Sequence, residues 1–364
     1  MVASPSGALL ASLTARSGLE VWRIDDGTLL ARLPSTAASL AWLDEHTLRA
    51  AGSDALEDWW IPAGRPAEMT VDSGISGLDL SATAPLAATA HGDGGVRVWD
   101  LSTGRLQASA ELGPSVAKDL AFSLDGRQLV VGSSGEHGPF VLDPGSAEQL
   151  QRLDVGTQRR VEVLASGRMV LLGYGRPWVV VDPSQQPALH THYDLAEAAV
   201  ESQVAADRTV ALVLDRSGLL WTLRDDGRPP ASVPVGIDAE SAVMVGDRIC
   251  WSTLLDLMCD PRRPHRLTRW SKRVLDLAAS PDGALVAVSF IDGSVEVLDL
   301  DGALVARLEG HDARVAQVLF SPDGSQLVTA GWDGRLRVWR VDAMVDPVGV
   351  VAENIEWDSV LAGL

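Results

Sequence analysis

The stretch TAGWDGRLRVW, residues 329–339, contains two tryptophans in a chain whose residues are only 5% aromatic. Apolar and polar residues alternate in its second half, which is typical of a half-buried strand. The dipeptide Asp333-Gly334 lies just before that strand, where it predicts a tight turn. The stretch therefore predicts a strand, a turn containing Trp332, and a second strand containing Trp339.

The same pattern recurs along the whole chain. A serine lies 18 residues before the Trp or Leu of a Val-Trp or Val-Leu pair at positions 4 and 22, 81 and 99, 280 and 298, and 321 and 339. Extending this anchor gives nine positions spaced by 37–43 residues, within the range of propeller repeats. Short apolar runs between turn signals indicate four strands per unit. The anchors are Trp22, Trp60, Trp99, Leu142, Val181, Thr222, Cys259, Leu298 and Trp339.

This arrangement of Gly-His, Ser-Pro-Asp-Gly, Asp-Gly and Val-Trp resembles the repeat of the WD40 family of β-propellers. The resemblance covers essentially the whole chain, although units between about residues 158 and 270 keep only the spacing and the strand pattern. It implies that the last unit carries the structural tetrad of that family, whose side chains hydrogen-bond in series. The tetrad residues are His311, Thr329, Asp333 and Trp339, while the unit at Trp99 keeps Thr89 and Asp93 but has no Gly-His before it.

We predict an all-β fold, a single closed WD40-like β-propeller over residues 1–364 with nine repeat units, and eight blades as the alternative. The two chain ends favour closure, because DSVLAGL joined to MVASPSG resembles the intact VLDLAASPDG of residues 274–283. Residues 352–364 are therefore expected to close the ring against the N-terminal unit, which would remove two exposed sheet edges. A helix or a frayed end is the alternative for this tail.

The composition excludes several classes of partner. A net charge of −19 disfavours nucleic acid and anionic membrane surfaces, because both are polyanions. No uncharged apolar run approaches the ~18 residues of a membrane span, and the N-terminal stretch lacks the cationic region of a secretion signal. Only two cysteines are present, Cys250 and Cys259, and we expect them to be reduced, as in cytoplasmic proteins. Arginine makes up 28 of the 30 basic residues, which favours a bacterial source.

Catalytic and metal-binding motifs are sparse in the sequence. There is no Walker phosphate loop, HExxH, GxSxG or paired CxxC, and the glycine-rich HGDGG of residues 91–95 is interpreted as a turn. His190 and His192 would share one face of a strand, with Asp194 two residues further on. We interpret them as a surface pair on an outer strand, with a metal site as the alternative. No catalytic residue, metal or cofactor is predicted, and the protein is not expected to be an enzyme.

The turn that contains Trp332 is a candidate partner-binding surface. A short turn offers little burial, and the equivalent position one unit earlier is also apolar. Exposed apolar surface marks binding sites, and tryptophan is a favoured interface residue. The alternative is that Trp332 folds over a neighbouring blade. The residues predicted to form this surface are Trp332, Ile291, Phe290, Trp270 and Tyr174.

A cationic band between residues 262 and 273 is a second candidate surface. It stands out in an acidic protein, and docking of an acidic partner would use it. The alternative is an outermost strand whose charges block edge-to-edge aggregation. The band consists of Arg262, Arg263, Arg266, Arg269, Lys272 and Arg273.

We therefore predict a non-catalytic scaffold that binds other proteins, as a cytoplasmic subunit of a bacterial multi-protein hetero-complex. The alternative is an enzyme or metal-dependent sensor that uses the central face of the propeller. The sequence does not identify the partner.

Overall fold

The structure is a computed structural model whose regular elements are all β-strands in the residues that it describes. Among those residues, no helix is long and apolar enough to cross a membrane. The chain divides into two compact units, one containing Met1–Ala63 and one formed by Gly64–Asp342. The described ranges are 1–14, 18–25, 27, 29–33, 39–43, 47–51, 56–60, 67–71, 73–113, 117–134, 138–173, 178–183, 189–193 and 199–341.

The smaller unit contains a four-stranded and a three-stranded antiparallel sheet. The Trp42 indole N–H donates to the Val2 carbonyl oxygen over 3.1 Å, which joins the first strand of one sheet to the first strand of the other. The four-stranded sheet comprises β1 (Val2–Ala3), β2 (Leu9–Thr14), β3 (Gly18–Arg23) and β4 (Leu29–Leu33). The three-stranded sheet comprises β5 (Ser39–Trp42), β6 (Thr47–Ala51) and β7 (Leu56–Trp60).

The larger unit begins with β8 (Ala67–Thr70), followed by antiparallel sheets that we number in chain order. Sheet 1 comprises β9 (Ile75–Leu80), β10 (Leu86–His91), β11 (Gly95–Asp100) and β12 (Arg105–Glu111). Sheet 2 comprises β13 (Ala117–Phe122), β14 (Leu129–Ser133), β15 (Phe140–Leu142) and β16 (Gln149–Arg152). Sheet 3 comprises β17 (Arg160–Val163), β18 (Met169–Leu172), β19 (Trp178–Asp182) and β20 (Leu189–Tyr193).

Sheet 4 comprises β21 (Ala199–Val204), β22 (Val210–Asp215), β23 (Leu219–Arg224) and β24 (Ala231–Pro234). Sheet 5 comprises β25 (Ala239–Val245), β26 (Arg248–Thr253), β27 (Asp256–Cys259) and β28 (His265–Arg269). Sheet 6 comprises β29 (Val274–Ala279), β30 (Leu285–Phe290), β31 (Val295–Asp299) and β32 (Leu304–Leu308). Sheet 7 comprises β33 (Val315–Phe320), β34 (Gln326–Gly331) and β35 (Arg335–Arg340), with β8 as its fourth strand.

All nine anchor residues lie in the third strand of a sheet. Trp22 is in β3 and Trp60 in β7, and the other seven anchors fall in β11, β15, β19, β23, β27, β31 and β35. The sequence period therefore corresponds to one sheet per unit in the described part of the chain. The anchor occupies the same strand of every sheet, including the sheets in which the anchor residue is not tryptophan.

The first strands of sheets 1 to 7 contact one another in sequence, and β33 of sheet 7 contacts β9 of sheet 1. The contacts therefore form a cycle that is complete within Gly64–Asp342. This order differs from the predicted ring of nine or eight units over residues 1–364. The fourth strand of sheet 7 is β8, which pairs antiparallel with β35, with Met69 opposite Leu336. The predicted closing segment, residues 352–364, lies outside the described residues.

The hydrophobic core of the larger unit lies between the faces of neighbouring sheets. Phe122 of sheet 2 packs in a cluster with Val96 and Val98 of sheet 1, and Met69 of β8 packs with Leu336 of sheet 7 and Leu78 of sheet 1. Inner strands such as β14 and β22 are buried along their whole length, whereas the outermost strand β16 is exposed throughout. Continuous apolar runs are expected in strands that have neighbouring sheets on both faces.

The two cysteines differ from the prediction. Cys250 of β26 lies directly opposite Cys259 of β27, with their Cα atoms 4.0 Å apart, and the two form a disulfide. Both residues are buried in the core between sheets 5 and 6. The prediction treated them as separate reduced residues, because a spacing of nine positions does not show that they face each other across a hairpin.

Candidate functional site

The structure brings the four tetrad side chains of sheet 7 together. His311 Nδ1 lies 3.0 Å from both Asp333 carboxylate oxygens, and His311 Nε2 lies 2.8 Å from Thr329 Oγ1. The Trp339 indole N–H donates to the same hydroxyl over 3.1 Å. The Asp333 carboxylate can only accept, so His311 Nδ1 carries a proton and donates to it, and in the neutral imidazole Nε2 accepts from the Thr329 O–H. The series connects the loop before β33 to β34 and β35.

Burial at this position would raise the pKa of Asp333, but its hydrogen bonds reverse the effect. The His311 imidazole and the backbone N–H groups of Asp312 and Arg335 all donate to this carboxylate, and its pKa is lowered overall. The carboxylate therefore stays ionised and holds the end of the β34–β35 turn. Gly331 gives the imidazole its space, because a Cβ there would lie 2.3 Å from His311 Nδ1.

Sheet 1 builds a similar chain of hydrogen bonds from a different histidine. The Trp99 indole N–H donates to Thr89 Oγ1 over 2.8 Å, and Thr89 Oγ1 lies 2.7 Å from His91 Nε2. His91 Nδ1 lies 3.3 Å from the Ser73 carbonyl oxygen, which can only accept, so Nδ1 carries the proton. Burial, followed by the nearby Arg97 guanidinium, lowers the pKa of His91 to about 4 and keeps the ring neutral.

The sequence analysis missed this role of His91. It interpreted residues 91–95 as a turn, and the Gly94 N–H does donate to the His91 carbonyl oxygen there. His91 is also the last residue of β10, at the position that Gly331 occupies in sheet 7. Thus sheet 1, which lacks the Gly-His of the preceding loop, supplies its imidazole from the strand itself. The signal in the sequence was a histidine two residues after the tetrad threonine.

Trp332 lies in the β34–β35 turn, as predicted, and its side chain is 55% exposed. Its backbone N–H donates to the Arg314 carbonyl oxygen, and the Arg314 guanidinium lies 3.2 Å from the centre of the indole ring. A cation over one indole face is a favourable contact that leaves other parts of the ring available. Among the described tryptophans, tyrosines and phenylalanines, Trp332 alone is an exposed large hydrophobic.

Of the described residues that were predicted to join Trp332, only Ile291 is exposed. It lies in the equivalent β30–β31 turn and is 46% exposed. Phe290 is fully buried because it is the last residue of β30, a strand that is buried along its whole length. Trp270 is half-buried: it packs edge-on against Phe290 at 5.2 Å and donates its indole N–H to Glu296. Tyr174 lies outside the described residues.

A residue that the sequence analysis did not select extends the exposed apolar surface. Leu254 lies in the β26–β27 turn of sheet 5 and is 42% exposed. The turns between the second and third strands of sheets 5, 6 and 7 therefore carry Leu254, Ile291 and Trp332 in order. We call these three residues the turn surface. They lie at the same end of three sheets whose first strands are in contact.

The cationic band does not form one surface. Arg262 and Arg263 lie in the β27–β28 turn, whereas Lys272 and Arg273 lie beyond the other end of β28, which is roughly 17 Å long at ~3.3 Å per residue. Most of the band is paired with carboxylates. Arg266 and Arg269 lie 3.5 and 3.8 Å from Asp256, Arg273 lies 3.0 Å from Glu240, and Lys272 lies 3.1 Å from Glu296.

The two candidate metal ligands lie on β20, the outermost strand of sheet 3. His192 is exposed and lies opposite Val179, while His190 lies opposite Val181. Asp194 lies outside the described residues. Within the ranges that the structure describes, no group of three or more His, Cys, Asp or Glu side chains could hold a metal ion.

Aspartates in three of the first strands connect their sheets to the next sheet, which the sequence analysis also missed. Asp79 accepts from the Phe122 backbone N–H over 2.7 Å, and Asp119 accepts from the Val161 N–H over 3.2 Å. Asp276 accepts from the Val318 N–H over 3.0 Å. Each bond spans 42 or 43 residues, one repeat, and each aspartate is followed by a leucine. The available signal was the dipeptide Asp-Leu four residues before the serine of a unit, as in Asp119-Leu120 and Asp276-Leu277.

Asp276 is buried, and burial raises its pKa to about 6. The backbone N–H groups of Val318 and Leu277 and the hydroxyl of Ser241 donate to the carboxylate and oppose this shift. Burial likewise raises the pKa of Glu201 to about 8, although the Arg160 guanidinium that it pairs with acts in the opposite direction. The first strands thus enclose carboxylates that bind protons more tightly than exposed ones do.

The raised pKa of Asp276 predicts a pH-dependent stability. The folded state binds this proton more tightly than an unfolded aspartate with a pKa of about 3.9 does. Stabilisation is therefore complete below about pH 4 and is lost as pH rises through 6. From about pH 4 to 7.5, the free energy of unfolding of the parent should fall by about 2–3 kcal/mol relative to Asp276→Asn, which does not titrate. Urea denaturation at several pH values measures this, and a pH-independent offset between the two proteins would contradict it.

Comparison with known proteins agrees with this architecture. The family model described as "WD domain, G-beta repeat" matches residues 68–100 and 302–340, the segments that carry the two histidine-containing hydrogen-bond series of sheets 1 and 7. The Cps50 (Swd1) β-propeller domain of Myceliophteria thermophila superimposes with a TM-score of 0.61 at 16% identity, over 75% of this chain and 98% of that one. At this identity the likeness shows the fold alone.

Two curated relatives match parts of the chain. WD repeat-containing protein SL1-17 of Schistosoma mansoni is 29% identical over 136 residues, 35% of this chain and 45% of that protein. The guanine nucleotide-binding protein subunit beta of Saccharomyces cerevisiae is 39% identical over 67 residues, 18% of this chain and 16% of that protein. The matched segments thus span less than half of either relative.

The repeated four-stranded sheets and the structural neighbour define the class of this protein as β-propeller-type, all-β and built of sequence repeats. The repeat matches give the family more narrowly. Residues 68–100 and 302–340 are WD40 repeats, and the chain is similar in parts of its sequence to WD-repeat proteins.

Proposed function

We propose that this protein is a non-catalytic scaffold that binds another protein through the turn surface of Leu254, Ile291 and Trp332. The observation that carries this proposal is the exposed indole of Trp332, with exposed aliphatic residues on the equivalent turns of the two preceding sheets. Large apolar residues gathered at one end of neighbouring sheets are typical of interaction sites, and tryptophan is enriched among the residues that dominate binding energy.

Membership of a hetero-complex is part of the same proposal. The yeast relative is by name a subunit, which supports a role in an assembly without identifying the partner of this chain. Fold alone does not determine function, so the argument rests on the exposed surface as well as on the family. A bacterial source and a location in the cytoplasm stay predictions. The predicted location is no longer supported by the cysteines, because Cys250 and Cys259 form a disulfide.

For the architecture, we propose a closed ring of seven blades within Gly64–Asp342. The cycle of first-strand contacts, the β8–β35 pairing and the shared core of sheets 7 and 1 all support it. β8 precedes sheet 1 in the chain and pairs with sheet 7, so it ties the two ends of this segment together and stabilises a ring against opening.

Trp332→Ala is expected to leave the melting temperature nearly unchanged and to weaken partner binding by more than about 2 kcal/mol. The side chain is largely exposed, so its removal leaves no core cavity. The measurement has two parts: affinity capture from the native host with the parent and variant proteins immobilised at equal density, followed by titration of the captured partner.

The matched control for Trp332→Ala is Leu124→Ala. Leu124 is also an exposed large hydrophobic, but it lies in the β13–β14 turn at the opposite end of its sheet. A partner that is lost with both variants would indicate a nonspecific apolar contact. A partner retained by Trp332→Ala would contradict the turn surface as the binding site.

The cationic band remains a second proposed docking point, now restricted to Arg262 and Arg263 in the β27–β28 turn. Reversing their charge with Arg262→Glu and Arg263→Glu should weaken an acidic partner about tenfold, and added salt should weaken the parent complex as well. Arg266→Glu serves as the comparison, because Arg266 already pairs with Asp256. If the affinity changes neither with added salt nor with Arg262→Glu and Arg263→Glu, the band has only the role of protecting a sheet edge.

A further inference from the structure

Arg314 is the cation that contacts Trp332, and its side chain has hydrogen-bond donors that the protein does not use. The guanidinium lies 3.2 Å from the centre of the indole ring, and it forms no ion pair or hydrogen bond with any residue in the described ranges. None of its nitrogen atoms is buried without a partner, so these atoms are open to solvent. Stacking on a ring uses the face of the guanidinium and leaves the N–H groups at its edge available to a carboxylate.

The aspartates nearest to Arg314 in the same loop and turn are bound elsewhere. Asp312 lies 2.6 Å from the guanidinium of Arg335, and Asp333 lies 3.0 Å from His311 Nδ1. Within the described part of the chain, Arg314 is therefore a positive charge without a counter-charge, although the net charge of the protein is −19.

The equivalent arginine of the preceding sheet does have an internal partner. Arg273 directly precedes β29, as Arg314 directly precedes β33. The carbonyl oxygen of each arginine accepts from the backbone N–H of a turn-surface residue, Ile291 in the first case and Trp332 in the second. The Arg273 guanidinium lies 3.0 Å from the carboxylate of Glu240 in β25. In that pair of sheets, the arginine at this position thus has a carboxylate from the neighbouring sheet.

The residue of sheet 6 that is equivalent to Glu240 is Leu275. Each is the second residue of its first strand, and each is passed over at a bulge in the pairing with the second strand. Leu275 is half-buried, and its side chain cannot accept a hydrogen bond. The change from a carboxylate to an aliphatic side chain explains why Arg314 lacks the partner that Arg273 has.

We propose that Arg314 binds a glutamate or aspartate side chain of a partner protein, which takes the place that Glu240 has beside Arg273. An apolar residue of the same partner segment packs on Trp332. This inference rests on the proposed scaffold function and adds the chemistry of the partner. The unpaired guanidinium favours a carboxylate, which it binds through charge-assisted hydrogen bonds, and the exposed indole favours an apolar neighbour.

Fluorine NMR of the full chain labelled with fluorotryptophan tests the proposal, with the Trp332 resonance assigned from Trp332→Phe. The probe is the peptide Gly-Glu-Leu-Gly, acetylated and amidated so that its only carboxylate is the glutamate side chain. We expect a saturable shift of the Trp332 resonance and weaker binding at higher sodium chloride. Glutamine in place of glutamate should weaken binding about tenfold, and glycine in place of leucine about fivefold.

Two variants remove the proposed site in different ways. Arg314→Gln removes the cation and should weaken the peptide about tenfold. Its matched control is Arg127→Gln, which removes the same charge from the β13–β14 turn at the opposite end of sheet 2. Leu275→Glu keeps Arg314 but supplies an internal carboxylate, and it should also weaken the peptide about tenfold. Leu275→Gln, which has nearly the same size and no charge, should keep the parental affinity.

Several results would overturn the proposal. They are a Trp332 resonance that does not respond to the peptide, equal affinity for the glutamate and glutamine peptides, and full affinity of Arg314→Gln at an unchanged melting temperature. Full affinity of Leu275→Glu would show that the carboxylate does not take the place equivalent to Glu240. An equal shift of the Trp332 resonance with inorganic phosphate would overturn the peptide as the ligand.

The proposed function and this inference fail in different ways. If Trp332→Ala loses the captured partner while Arg314→Gln and Leu275→Glu retain it at parental affinity, the scaffold function stands and the carboxylate site is wrong. If the peptide binds through Arg314 but Trp332→Ala retains the captured partner, the carboxylate site stands and the proposed partner surface is wrong.

Discussion

Trp339→Ala is expected to lower the free energy of unfolding by about 3–5 kcal/mol, with a corresponding fall in the denaturation midpoint. The side chain is buried, so its removal leaves a cavity that the surrounding sheet fills only in part. The substitution also removes the indole N–H from Thr329, the hydroxyl that connects β34 and β35 to His311. Urea denaturation followed by circular dichroism measures the change.

The matched control for this prediction is Trp332→Ala in the same stretch of sequence. Both substitutions remove an indole from sheet 7, but Trp332 is exposed, and we expect a change within about 0.5 kcal/mol. His311→Ala should fall between the two, at about 1–3 kcal/mol, because Asp333 and Thr329 lose a partner while most of the core packing remains. Equal stability of Trp339→Ala and the parent would show that the hydrogen-bonded series contributes nothing measurable.

Local features of this fold could be predicted because they repeat with a fixed period. The serine-to-anchor interval occurs in four units, and extending its spacing along the chain gave nine anchors that all lie in third strands. A period of one sheet is preserved even where the anchor residue changes. The residues of the sheet 7 tetrad could be selected because the resemblance to the WD40 repeat implies them. The physical requirement agrees with that selection, because a buried indole and a buried imidazole both need hydrogen-bond partners.

Features that depend on one residue of register were harder to predict. Ile291 and Phe290 are neighbours, yet one is exposed in a turn and the other is buried at the end of β30. The sequence shows the apolar pair but not the residue at which the strand ends. Likewise, nine positions separate Cys250 from Cys259, and only the lengths of β26, its turn and β27 put them opposite each other.

The pairing of β8 with β35 could not be predicted from the sequence because it is long-range. β8 and β35 are separated by about 265 positions along the chain, and β8 contributes only four residues. Nothing in the segment Ala67–Thr70 indicates that its partner is the last described strand rather than the adjacent sheet 1. The repeat period counts every sheet of the chain. It does not show which first strands contact each other, and those contacts decide which sheets are neighbours.

The fragment of residues 64–342 is expected to unfold cooperatively at nearly the denaturation midpoint of the larger unit in the full chain. This fragment retains β8, so sheet 7 keeps all four strands. The fragment of residues 71–342 lacks β8. It should lose at least about 3 kcal/mol of unfolding free energy, because it exposes the edge of β35 and removes Met69 from the core between sheets 7 and 1.

Met69→Ala within residues 64–342 isolates the packing part of that loss. It removes the buried side chain but keeps the backbone hydrogen bonds between β8 and β35, so we expect an intermediate stability, about 2–3 kcal/mol below the parent fragment. A single ring of nine units predicts a different order, since both fragments would then lack two blades and open equally. Equal destabilisation of the 64–342 and 71–342 fragments relative to the full chain would therefore contradict the seven-bladed ring.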